Sequence, residues 1–118
     1  MEGPVEMNKN VCLICGYNEL EERPYYSDFA GSNEICPCCG FEFGVDDFDC
    51  DEFDHEGLTD QEIVEKSHII WRKHWIENGL ELFNPKIFSP EFRNGKFLKR
   101  DYLEIQLKKN LGLDFNDI

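Results

Sequence analysis

The chain has 118 residues, with 25 acidic side chains against 12 basic ones, a formal charge of −13, and six cysteines. That length supports one domain, or a small metal module joined to a small helical one, with a core modest enough for a metal to supplement it. The acid excess disfavours direct binding to nucleic-acid phosphates, and no stretch has the length and apolarity of a membrane span.

Met1 to Asn10 contains no apolar run, so no signal peptide is expected and the chain is read as cytoplasmic. In that compartment, cysteines are more readily metal ligands than disulfides. Two turns of the form Cys-x-x-Cys-Gly follow: Cys12-Leu13-Ile14-Cys15-Gly16 and Cys36-Pro37-Cys38-Cys39-Gly40. Each turn aims two sulfurs at one ion, and the glycine lets it close with φ > 0. Cys12, Cys15, Cys36 and Cys39 therefore make a four-thiolate tetrahedral site for Zn2+, with iron as the alternative. Four such ligands leave no position for a catalytic water, so the expected role is structural. Cys38 is left out, because Cys36 and Cys39 repeat the spacing of the first pair; it is read as a small, partly buried side chain.

Between and after the turns, Pro24-Tyr25-Tyr26 and Phe41-Glu42-Phe43 have the aromatic content of short strands, and Asp28 to Asn33 reads as a turn. Residues 46–57 then carry seven acidic side chains, a density that resists compaction and predicts an exposed loop. An EF-hand beginning at Asp47 fails: its sixth position is Glu52 instead of Gly and its twelfth is Leu58 instead of Glu. Cys50 and His55 in the same loop raise a second metal site, but a solvated acidic loop is the better reading. Asp46, Asp47, Asp49, Asp51, Glu52 and Asp54 are the candidate partner-binding residues, suited to a basic protein.

A helix is predicted from Thr59, which with Glu62 forms a capping box, to a stop at Asn78-Gly79. Its buried face is projected as Ile63, Val64, Ser67, Ile70, Trp71, His74 and Trp75, with His74 a core histidine. Ile69 and Ile76 form a second stripe, which predicts cover on two sides. Asn84-Pro85 and Ser89-Pro90 predict an irregular connection, and Asn94-Gly95 a turn. A last helix is expected to start after Asp101, with Glu104 completing a cap-like pair, and to end at Gly112. The expected fold class is α+β: a small zinc ribbon with rubredoxin-like knuckles, followed by two helices. Residues 1–57 form the ribbon module with its acidic loop, and 58–118 a helical extension packed on it as one compact unit.

The two cysteine turns, the run Phe41-Glu42-Phe43-Gly44-Val45-Asp46-Asp47 and the segment from Trp71 to Gly79 resemble the cysteine-rich CPCC family of small bacterial and phage proteins, whose biochemical role is unassigned. The resemblance covers residues 11–79 and, more loosely, the tail around Leu103 to Lys108. It implies a zinc-ribbon-like site at Cys12, Cys15, Cys36 and Cys39. Cys12 to Tyr17 and Cys36 to Gly40 are also similar to the knuckles of rubredoxins, small acidic iron proteins that transfer electrons. The 20-residue gap between the pairs and the long helical extension depart from that family.

No serine or cysteine triad and no phosphate loop is legible, so the expected function is non-enzymatic. Residues 1–65 hold 18 acids against 2 bases, net −16, and residues 66–118 hold 7 against 10, net +3. This asymmetry suggests a zinc-ribbon interaction module whose acidic half meets a basic protein, such as an immunity-type antitoxin covering a toxin surface meant for phosphate. A rubredoxin-like electron carrier and a transcription-associated zinc ribbon are the alternatives.

Overall fold

A computed structural model describes residues 10–26 and 29–115. Asp28, where the predicted turn begins, and residues 1–9 lie outside the described residues. Helix α1 spans Asp60–Glu77 and α2 spans Arg100–Leu111; between them an antiparallel pair, β1 (Arg93–Asn94) and β2 (Phe97–Leu98), joins Arg93 to Leu98 and Asn94 to Phe97. With the cysteine cluster in the N-terminal half, this is a small α+β, zinc-ribbon-like fold.

The aromatic segments of the ribbon do not extend into strands. Tyr25 bridges Gly31 and Ile35 bridges Glu42 as single antiparallel pairs. The reason is local: the chain folds back at once after Phe43, where the Val45 and Asp46 amides both donate to the Glu42 carbonyl. Phe41 and Phe43 still alternate inward around Glu42, and both are fully buried.

Helix α1 begins as its sequence predicts. The Thr59 hydroxyl accepts from the Glu62 amide at 3.1 Å, and the Glu62 carboxylate accepts from the Thr59 amide at 2.9 Å. Its buried face is rotated from the projected one: His68 and Arg72 are inside with Ile63, Val64, Ser67 and Trp75, whereas His74 is exposed. Hydropathy could not place those two side chains, because their partners come from the ribbon: Tyr25 takes His68, and the first cysteine turn takes Arg72. Ile69 is exposed too, so the second stripe is not covered there. Helix α2 starts at Arg100, one residue before the predicted cap, and its N-cap Lys99 makes no side-chain capping bond. Asp101 lies in the first turn, where an acid favours the helix dipole. Gly112 ends the helix in the left-handed conformation, as its position predicts.

The connection after α1 is ordered. Pro85–Ile87 and Pro90–Phe92 form short 3-10 turns. Leu80 to Leu82 runs beside β2, with the Leu98 amide donating to the Leu80 carbonyl and the Leu82 amide to the Lys96 carbonyl. One buried cluster contains residues from both halves of the chain, including Phe41 and Phe43 from the ribbon, Val64 and Trp75 from α1, and Leu103 and Leu107 from α2.

Candidate metal centre

The two cysteine turns are built alike. The Cys12 amide donates to the Tyr17 carbonyl at 2.8 Å and the Cys36 amide to the Phe41 carbonyl at 2.9 Å; Gly16 and Gly40 donate back to Cys12 and Cys36, each at 2.9 Å. Gly16 (φ +85°) and Gly40 (φ +81°) supply the left-handed residue that closes each turn.

The structure brings Cys12, Cys15, Cys36 and Cys39 together, with all four sulfurs within 4.8 Å of one another. Cys12 faces Cys39 at 3.6 Å and Cys15 faces Cys36 at 3.7 Å. A tetrahedral ion bound at about 2.3 Å sets neighbouring sulfurs roughly 3.8 Å apart. The donor set therefore fits a metal ion held by four thiolates, and all six cysteines are free of disulfides. The Ile14 amide points at the Cys12 sulfur at 3.4 Å, a contact that favours thiolate.

Desolvation acts on every member of the cluster. It pushes the Cys15, Cys36 and Cys39 thiols well up; at Cys12 it is outweighed by hydrogen bonds from the other three, and that thiol is held well below its ordinary value. A dry pocket of four sulfurs tolerates little uncompensated negative charge, and a bound cation would supply the compensation.

Cys38 holds the third place in its turn, as Ile14 does in the first, and both are fully buried. Its sulfur faces Gln106 Nε2 at 3.8 Å and also interacts with the Cys15 thiol, but it is not one of the four grouped ligands, and burial pushes its own thiol up. Cys50 and His55 form no second centre. A ring nitrogen of His55 bonds the Cys50 carbonyl at 2.7 Å, and among the described residues only the four-cysteine group gathers enough ligands for an ion.

Around the sulfurs lies a shell of donors that the sequence did not announce. Arg72 gives Nε to the Ile14 carbonyl at 2.7 Å and Nη2 to the Leu13 carbonyl at 3.0 Å. From α2, Gln106 Nε2 donates to the Cys15 carbonyl at 2.8 Å and Asn110 Nδ2 to the Gly16 carbonyl at 2.7 Å. The second turn is covered in the same way: the Asn84 amide reaches the Pro37 carbonyl at 2.9 Å, the Phe83 amide the Cys38 carbonyl at 3.2 Å, and Trp71 Nε1 the Cys39 carbonyl at 3.0 Å. Seven consecutive-turn carbonyls thus receive donors from the helical half. Arg72 also brings a buried cation near the sulfurs. Burial lowers its pKa, and the charges of Cys12, Cys15 and Cys39 oppose that shift.

The acidic candidates divide. Asp49, Asp51, Glu52 and Asp54 are exposed and Asp46 is half-buried. Asp47 corrects the expected all-exposed loop: it is 0% exposed. Its carboxylate accepts from the Gly44 amide at 3.0 Å and from the Tyr25 hydroxyl at 2.5 Å, and Tyr25 stands 2.8 Å from His68 Nε2. The one hydroxyl proton is committed to Asp47, so His68 Nε2 is the donor to Tyr25. Burial, then the Asp47 bond, pushes the Tyr25 phenol far above its ordinary range. Asp47 thus ties the loop to the ribbon and α1 instead of facing a partner.

No family model matches the chain, and no solved structure matches it. It is similar to the uncharacterized protein YoaQ of Bacillus subtilis strain 168, 38% identical over 112 residues that cover 90% of this chain and 89% of YoaQ. It is also similar to the uncharacterized protein YozI of the same organism, 37% identical over 110 residues, 87% of this chain and 85% of YozI. The chain belongs to the family of these two proteins. The similarity runs through both the cysteine half and the helical half. Among the described residues no helix is long and apolar enough to cross a membrane.

Proposed function

We propose that the chain is a non-enzymatic, cytoplasmic protein-interaction module of the CPCC type, in which Zn2+ at Cys12, Cys15, Cys36 and Cys39 holds the ribbon rigid. The observation that carries this reading is the covering of both cysteine turns: donors from α1, α2 and the connecting segment occupy the turn carbonyls, so an ion there would sit within the core. A four-thiolate ion so enclosed has no open coordination position and acts as a cross-link. What distinguishes the protein then lies on its surface, where the acidic loop meets a basic partner. An immunity-type antitoxin that covers a basic toxin is the concrete form, supported by the net charge of −16 in residues 1–65, from 18 acids and 2 bases.

Two measurements test the reading. Purified protein should carry one zinc per chain and be colourless; less than one ion defeats the metal site, and a red protein with visible absorption makes it a rubredoxin-like iron carrier. A pull-down should recover a basic protein, and neutralising Asp46, Asp49, Asp51 and Glu52 should release it. Retention of the partner by that variant, or co-purification with polymerase subunits, would count against the acidic-loop mechanism.

A further inference from the structure

A groove of about 730 Å3 separates the acidic loop from α1 and the Leu82–Phe83 segment. That volume is ordinary for a ligand site, roughly 300–1,000 Å3. Its floor is aromatic and aliphatic: Trp71, Trp75, Ile70 and Phe83. Both indole N–H groups are already spent on backbone carbonyls, Trp71 on Cys39 at 3.0 Å and Trp75 on Glu81 at 2.8 Å. The rings can offer the groove only hydrocarbon and π-electron density. Phe83, 58% exposed, extends this floor to the open surface.

The rim has the opposite character. Asp46, Asp49, Asp51, Glu52 and Glu81 line the groove, and no lysine or arginine does. Some of these carboxylates are engaged: Glu52 with His74 at 2.6 Å, Glu81 with Lys96 at 3.3 Å, and Asp46 with the Glu42 amide at 2.8 Å. Asp49 and Asp51 are exposed and have no hydrogen-bond or ion-pair partner among the described residues.

The occupant must satisfy both parts. An anion, or a wholly apolar group, would face the carboxylates; a bare metal ion would leave the aromatic floor wet. A basic side chain meets both demands, its stem or planar guanidinium lying on the aromatic rings and its charge at the rim. We propose that this groove is the docking site for an arginine- or lysine-bearing segment of a protein partner. The proposal rests on the reading of the chain as an interaction module and names where and how that module holds its partner.

Both tryptophans of the chain line the groove, so their emission reports its occupancy. Metal-loaded protein is titrated with a hexa-arginine peptide at about 0.15 M salt. Binding should change tryptophan emission. Asp49→Asn with Asp51→Asn should weaken it about tenfold, while Glu19→Gln with Glu56→Gln, an equal charge change outside the groove, should alter it less than about twofold. Three results would overturn the groove while leaving an acidic interaction surface standing: equal weakening in both double variants, binding without a change in emission, or spermine binding as tightly as the peptide. No binding of the peptide even at low salt would defeat the underlying reading as well.

Discussion

Arg72 joins α1 to the first cysteine turn with one planar group, and its burial makes that link costly to lose. Arg72→Met should leave the Leu13 and Ile14 carbonyls without donors and lower stability by about 3 kcal/mol. Arg72→Lys keeps the charge but not the fork, and should recover less than half of the loss. Urea unfolding of the metal-loaded protein measures both; a Met variant within about 1 kcal/mol of the parent would show that the turn does not need the link. His68 gives a second residue-scale test. Burial lowers its imidazole from the usual 6.5 to about 4. As pH falls, the unfolded chain takes up the proton first, so stability present above about 6.5 is lost progressively toward pH 4, by up to about 3 kcal/mol. Thiolate protonation also destabilises the protein in acid, but it is common to the parent and His68→Gln. The parent should therefore lose more stability than the variant between those pH values, and parallel curves would contradict the assignment.

At the scale of elements, the two cysteine turns are twins with different neighbours. A Cβ on Gly16 would lie 2.9 Å from the Gln106 backbone oxygen of α2, whereas one on Gly40 would meet the Phe83 side chain, at 3.4 Å. Both substitutions incur the left-handed penalty of about 1–2 kcal/mol. Only Gly16→Ala also pushes against a helix backbone, so it should cost about 1–3 kcal/mol more than Gly40→Ala in the same unfolding measurement. Equal costs would mean that α2 is free to move away from the turn. What could be read in the sequence follows the same division between local and distant causes. The two cysteine turns, the Thr59–Glu62 cap and the Gly112 stop are each defined within a few residues; the structure shows the cap and the stop at their predicted places and brings the four cysteines of the turns together. The buried face of α1 was misplaced because His68 and Arg72 find their partners 43 and 58 residues away. Gln106 and Asn110 reach back 91 and 94 residues, and no pattern within α2 marks them as caps for a distant turn. Asp47 was hidden for another reason: it stands among acids that are exposed, and only the meeting of Tyr25 and Gly44 distinguishes it.

For the whole molecule, these long-range bonds decide how the fold would respond to removal of an ion from the four-cysteine site. If the ribbon and the helices were separate units, a chelator would release the cysteine turns and leave α1 and α2 standing. The contacts argue otherwise. Arg72 and Trp71 of α1, and Gln106 and Asn110 of α2, have their partners on the turns, and the Phe83 and Asn84 amides that follow α1 are satisfied there too. Opening the turns would expose those donors to exchange with water and strip Leu103 and Leu107, both fully buried, of part of the cluster that surrounds them. Helix α2 has little support of its own: it has 12 residues and no side-chain N-cap, and isolated helices shorter than about 12–15 residues are marginal in water. Helix α1 is longer and capped, but His68 and Arg72 on its buried face have their partners on the ribbon. Treatment with a strong zinc chelator should therefore abolish helical circular dichroism and shift tryptophan emission in one concerted transition, reversed by restoring zinc. Loss of the metal with the helical signal intact would show that the extension folds without the ribbon, and would break the link between the metal and the surface it is proposed to hold.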